Sequence, residues 1–151
     1  MRVGTWAAAL LLTACATATP AGIEAPEAPI PALTPGVVLT GSMVEVCTPG
    51  WATAHRRSLS AAQRAAVLVA YRLPAGTVPA EWDHLIPLEL GGGNGPGNIW
   101  PQLSATDRRI KDTSENRLHA RVCTGQVLLG AAQEEMRSWG RKGLVIYPSP
   151  V

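Results

Sequence analysis

The chain has 151 residues and a mass of 15.9 kDa, the size of one domain with a short extension. Hydrophobic residues make up 46% and charged residues 16%, with a mean hydropathy of +0.10, which excludes intrinsic disorder over most of the length. A formal charge of +2 excludes a strongly cationic nucleic-acid coat and an acidic tail protein, but leaves room for a local basic face.

Met1 and Arg2 give a minimal positive start to an apolar run over residues 3–12. A membrane-spanning helix needs about 20 apolar residues, so the run fits the core of a secretory signal instead. Leu12-Thr13-Ala14-Cys15 resembles a bacterial lipobox, which implies lipidation of Cys15. An ordinary signal peptide cut after Ala18 is the alternative. Both readings export the chain, either as a cell-envelope lipoprotein (periplasmic or on the outer surface, held to the membrane by its N-terminal lipid) or as a secreted protein.

Residues 1–15 are therefore expected to be an address, 16–43 a Pro/Ala-rich linker and 44–151 the folded domain. Residues 16–40 carry five Pro and only two charges, Glu24 and Glu27, a composition that favours extended conformations over a packed core. The end of this stretch, from Val37 to Thr40, is expected to pack on the domain.

Within the domain, residues 43–46 read as a short strand leading into Cys47, and Thr48-Pro49-Gly50 as a turn. Ser60-Ala61-Ala62-Gln63 is a capping-box pattern opening a helix, with Ala66, Val67, Val69 and Ala70 on its buried side. Pro74 stops it, because proline disfavours a helical residue before it. Residues 81–90 are strand-like, and Gly91-Gly92-Gly93-Asn94-Gly95-Pro96-Gly97 demands a loop. Asn98-Ile99-Trp100 returns as a second strand. A helix is expected from about 106 to 122, with Ile110, Ser114, Leu118 and Val122 as its stripe and Gly125 at its end. A last helix spans about 129 to 139, with Ala132, Met136 and Trp139 at helical spacing, and residues 144–147 read as an edge strand.

Cys47 and Cys123 form an even pair in an exported chain, so a disulfide is expected ahead of two buried thiols. Closing a loop of 76 residues corresponds to about 4 kcal/mol in the chain-entropy model. Neither cysteine belongs to a C-x-x-C, so a structural zinc of the usual kind is not expected.

Phosphodiester hydrolysis needs an activated water, a cation on the phosphate oxygens and fixed geometry. A neutral imidazole can accept the proton of water near pH 7. His84 is the one histidine flanked by a carboxylate, Asp83, and a glycine-rich loop. Adjacent strand residues point to opposite faces, so Asp83 and His84 can share a site only at a strand end or bulge. Arg108, Arg109, Lys111 and Arg117 cluster on the helix after the loop, where they read as a phosphate-binding face or as a solvated helix surface. Asn94 reads as a loop-turning residue, Trp82 and Trp100 as packing, and His55 and His119 as structural or exposed.

The ordered set Asp83-His84, Pro87, Gly91-Gly92, Asn94, Asn98 and the following helix resembles the ββα-metal, or HNH, nuclease motif. Asn98-Ile99-Trp100-Pro101, the Lys111-Asp112-x-x-Glu115-Asn116-x-Leu118-His119 pattern, Val122-Cys123-Thr124-Gly125 and the segment from Val46 to Trp51 are similar to a group of exported bacterial HNH-type proteins. The resemblance covers about residues 44–139 and implies an α+β fold: a ββα-metal (HNH-like) hairpin-helix core with additional flanking helices. It implies a metal-dependent endonuclease in which His84 is the general base and Asn98 fixes the loop. Asp83 would bind the metal, Mg²⁺ or else Mn²⁺. The helical metal ligand of the pattern is not plainly matched. The helix pattern points to Asp112, Glu115 or Asn116 for it, with Asp112 and Glu115, one turn apart, placed ahead of His119, and simple counting from Asn98 reaches Asp107. The expected partner is nucleic acid, DNA ahead of RNA. The alternative is a cell-envelope lipoprotein that keeps the fold as a binding module without catalysis.

Overall fold

A computed structural model describes residues 28–56 and 59–139. The expected signal segment, Cys15 and the edge strand at 144–147 lie outside the described residues. Among the described residues the architecture is α+β, with helices around one small antiparallel sheet. The helices are α1 (Met43–Val46), α2 (Trp51–His55), α3 (Ala61–Ala70), α4 (Ala105–Cys123) and α5 (Leu129–Trp139). The strands are β1 (Glu81–His84) and β2 (Ile99–Gln102), paired with Asp83 opposite Trp100 and His84 opposite Ile99. Among the described residues, no helix is long and apolar enough to cross a membrane.

Several boundaries depart from expectation for identifiable reasons. Residues 43–46 are helical, because the Ser42 hydroxyl accepts from the Glu45 N–H at 3.3 Å and caps a turn. β1 is shorter than the strand-like stretch. Beyond His84 the backbone bends, and a 3₁₀ turn at Leu88–Leu90 follows Pro87. Asn98 belongs to a second 3₁₀ turn, Pro96–Asn98, just before β2. β2 extends through Pro101, which is tolerated because, among the described residues, the sheet has two strands and each is an edge.

α3 carries the expected capping box between Ser60 and Gln63, but it is rotated. Val67, Leu68 and Tyr71 are buried, whereas Ala66, Val69 and Ala70 are exposed. Tyr71 sets the rotation: its hydroxyl shares a 2.7 Å hydrogen bond with Thr34 and accepts from the Ile30 N–H at 3.2 Å. On α4 the inward stripe is Lys111, Leu118 and Val122 rather than one that starts at Ile110. Residues spaced by four drift by about 40° per step around a helix of 3.6 residues per turn, so an apolar reading that runs back by fours leaves the buried face. α5 has the expected bounds and buries Ala132 and Met136.

Two apolar cores result. Val46, Ile86, Leu90, Leu118, Val122 and Met136 join α1, α4, α5 and the loop after β1. Val67, Leu68, Tyr71, Leu73 and Trp100 join α3 to β2. The expected disulfide is present between Cys47 and Cys123, with Cα atoms 5.5 Å apart, and it ties α1 to the end of α4.

Part of the segment expected to be a linker is packed on the domain. Gly36 and Val37 donate to Gly97 O, Leu39 donates to Gly91 O at 2.7 Å, and Gly93 donates to Val37 O at 2.9 Å. Arg137 Nε also donates to Gly36 O at 3.1 Å. The glycine loop has no side chains to shield its amides, and residues 36–39 pair with them. Gly92 admits no side chain: a Cβ there would lie 1.8 Å from Ile86 O.

Candidate functional site

The loop between β1 and β2 is ordered by one side chain. Asn98, fully buried, accepts the Ile86 N–H at 2.9 Å and donates to Ile86 O and Gly93 O, each at 2.9 Å. Its own carbonyl accepts from Leu85 N–H at 2.8 Å. Asn98 thus closes the loop as a cross-strand pair would, and it fixes the backbone directly after His84.

His84 lines a cleft of about 620 Å³. Arg56 and Arg64 line it too, together with Trp82 and the carboxylate-bearing residues Glu81, Glu89, Asp112 and Glu115. His84 Nε2 lies 3.0 Å from Asn94 Oδ1, while Asn94 Nδ2 donates to His55 O at 2.8 Å. The second bond fixes the orientation of the Asn94 amide, which makes Oδ1 an acceptor and Nε2–H of His84 the donor. The proton-free nitrogen of the neutral ring is then Nδ1, which has no partner among the described residues. Burial pushes the ring below its ordinary pKa of 6.5, against the opposing pull of Asn94 and Asp83, and the nearby Lys111 and Arg56 charges add to the depression. At neutral pH His84 is therefore an uncharged base with a fixed tautomer.

Asp83 lies in a different setting. Trp100 Nε1 donates to its Oδ2 at 2.7 Å. Lys111 Nζ reaches Oδ1 at 3.1 Å and Oδ2 at 2.9 Å, His84 O at 2.7 Å, and a Glu115 oxygen. Lys111 is fully buried. Burial opposes its charge, but the Asp83 and Glu115 carboxylates hold its pKa above the ordinary lysine value. Glu115 is pushed up to about 7 by burial, with the Asp83 and Glu89 charges adding to the effect and Lys111 opposing it. Burial also raises Glu89, whose Oε1 is enclosed without a partner among the described residues.

The carboxylates expected as metal ligands do not fit one ion in this arrangement. Asp83 and Glu115 meet on the Lys111 ammonium, and Asp112 lies on the cleft side of α4. Among the described residues, the Cys, His, Asp and Glu side chains whose ligand atoms all fall within 4.8 Å are Cys47, His119 and Cys123. This Cys-His-Cys group could hold a metal ion, but its two sulfurs are joined to each other in the disulfide. His119 Nε2 lies 3.1 Å from Val46 O and 3.4 Å from Cys123 Sγ.

The basic residues are also redistributed. Lys111 is interior and out of reach of a polymer. Arg108 pairs with Glu81 at 3.6 Å and Arg117 with Glu135 at 3.2 Å, while Arg109 is exposed. Sequence reasoning missed Arg56 and Arg64. Arg64 donates twice to Leu59 O, at 3.1 and 2.9 Å, and Arg56 has no ion pair among the described residues. Neither lies near His84 in sequence, and no spacing announces them. Asn94 was read as a turn residue, whereas it orients His84. Comparison of the chain with models of protein families, with curated proteins and with solved structures returned no match.

Proposed function

We propose that the chain is a phosphodiesterase acting on nucleic acid, built on a ββα-metal type of hairpin-helix core, with His84 as general base. The observation that carries this reading is the fixed tautomer of His84: a neutral imidazole with Nδ1 free, in a cleft that also holds two arginines. His84 Nδ1 takes the proton of the attacking water as its oxygen bonds to phosphorus. The bond from phosphorus to the leaving oxygen breaks and that oxygen takes a proton from solvent, while the Arg56 and Arg64 guanidiniums offset charge on the phosphate oxygens. Asp83 and Glu115 are engaged by Lys111 and do not fit the Mg²⁺ or Mn²⁺ implied by the resemblance. Asp112 lines the same cleft as an acid without a catalytic assignment. DNA is placed ahead of RNA as substrate, on the resemblance alone. Export, with a lipid on Cys15, completes the proposal and rests on the N-terminal sequence.

The test is cleavage of plasmid DNA and of RNA by the purified chain with Mg²⁺, Mn²⁺ or EDTA, beside His84→Ala. Cleavage lost in His84→Ala supports the reading. A second reading, a binding module without catalysis, is favoured by the occupied Asp83. Nucleic-acid binding without cleavage, unchanged in His84→Ala, would establish it.

A further inference from the structure

We infer that Lys111 is the resident cation of this site: its ammonium permanently holds the place between Asp83 and the helical carboxylate of Glu115 that the resemblance gives to a divalent ion, and the chain binds no Mg²⁺ or Mn²⁺ there.

The geometry carries the inference. An ammonium has three N–H donors and no acceptor. Here its partners are the Asp83 carboxylate, a Glu115 oxygen and His84 O, so its donors are used up. Both Asp83 oxygens are engaged in turn, Oδ1 by Lys111 and Oδ2 by Lys111 and the Trp100 indole. Trp100 and Lys111 are each 1% exposed or less, so neither is a surface side chain that swings away at little cost. A divalent ion entering here would have to displace a buried ammonium of its own sign. Mg²⁺ also gives up its water reluctantly and demands near-octahedral oxygen ligation, which one free carboxylate edge does not offer. A tethered ammonium cannot dissociate, so the backbone beside His84 is held by the same cation at every metal concentration. The inference concerns ion binding and does not depend on whether the chain cleaves anything.

The test is a titration of the full chain with Mn²⁺, followed by the electron paramagnetic resonance of free Mn²⁺, with calorimetry for Mg²⁺. The wild type is expected to show no site tighter than millimolar that depends on Asp83. Lys111→Ala leaves Asp83 and Glu115 facing each other without a cation, and is expected to gain one Mn²⁺ site at least about tenfold tighter. Its melting temperature should fall, and Mn²⁺ should restore it. The gained site should be absent from the Lys111→Ala/Asp83→Asn double variant. If Lys111→Ala does not fold alone, its folding on addition of Mn²⁺ is the supporting result, and the wild-type titration still decides the matter. One Mn²⁺ bound to the wild type at micromolar concentration, and lost in Asp83→Asn, would overturn the inference. So would a folded Lys111→Ala that gains no site. Cleavage can be present or absent in either case, so this inference and the proposed function fail separately.

Discussion

Asp83 and Trp100 stand opposite each other across the two-stranded sheet, and the indole N–H donates 2.7 Å to the carboxylate. Side chains of directly paired residues lie on the same face of a sheet, and neighbours along a strand lie on opposite faces. Asp83 is therefore bonded to Trp100 and to Lys111 of α4, and His84 to Asn94. The adjacent acid and histidine line the same cleft with different partners, Lys111 and Trp100 for Asp83 and Asn94 for His84.

Asn94 sets which ring nitrogen of His84 is free, so Asn94→Ala should lower kcat about 10- to 100-fold while changing KM less than about twofold. Steady-state kinetics on a cleaved oligonucleotide would check this. A loss confined to KM would show that Asn94 binds substrate instead. In the wild type, the acid limb of kcat/KM should lie below pH 6.5, because burial depresses the His84 pKa and only the neutral ring is a base.

Lys111→Met should destabilise the fold by about 3–5 kcal/mol, because two buried carboxylates lose their counter-charge. Adding Asp83→Asn and Glu115→Gln should recover most of that loss. Urea denaturation of the single and triple variants measures both numbers. Equal stability of the two variants would mean that the ammonium contributes packing rather than charge.

Asn98→Ala leaves three buried backbone partners on Ile86 and Gly93 without a bond, at about 1–3 kcal/mol each. A loss of at least ~3 kcal/mol is expected in chemical denaturation. Hydrogen exchange should quicken first at Ile86, whose N–H bonds to the deleted side chain. Uniform quickening across the chain would place the effect elsewhere.

Glu115 titrates at about 7 in the folded chain, above its ordinary 4.5, so the folded state holds this proton more tightly than the unfolded state does. The stability tied to this proton is fully present below about pH 4.5 and is lost as pH rises towards 7. Glu115→Gln removes the titration, so its melting temperature should fall less than that of the wild type between pH 5 and 7.5. Parallel pH profiles of the two proteins, measured by calorimetry, would refute this.

Local signals in the sequence were sufficient wherever one residue type does one job. The capping box at Ser60, the bounds of α5, the glycine loop and the Cys47–Cys123 pair belong here. Ser42 and Glu45 carried the same signal for α1, but the β-branched Val44 and Val46 pointed to a strand. Long-range partners were not legible. Lys111 looked like a surface cation because nothing in its own helix shows that Asp83 and His84 O await it. That residues 37–40 pack on the domain was legible, but the glycine loop as their partner was not, since backbone atoms carry the pairing.

The disulfide reaches the cleft by a short relay. Cys47 leads through a turn into α2, the last residue of α2 offers its carbonyl to Asn94, and Asn94 orients His84. Cys123 anchors that relay to the far end of α4. Cytosolic thiols stay reduced, whereas exported ones are oxidised. Wherever these two thiols are kept reduced, the chain lacks the anchor, and the relay that orients His84 is held at one end only.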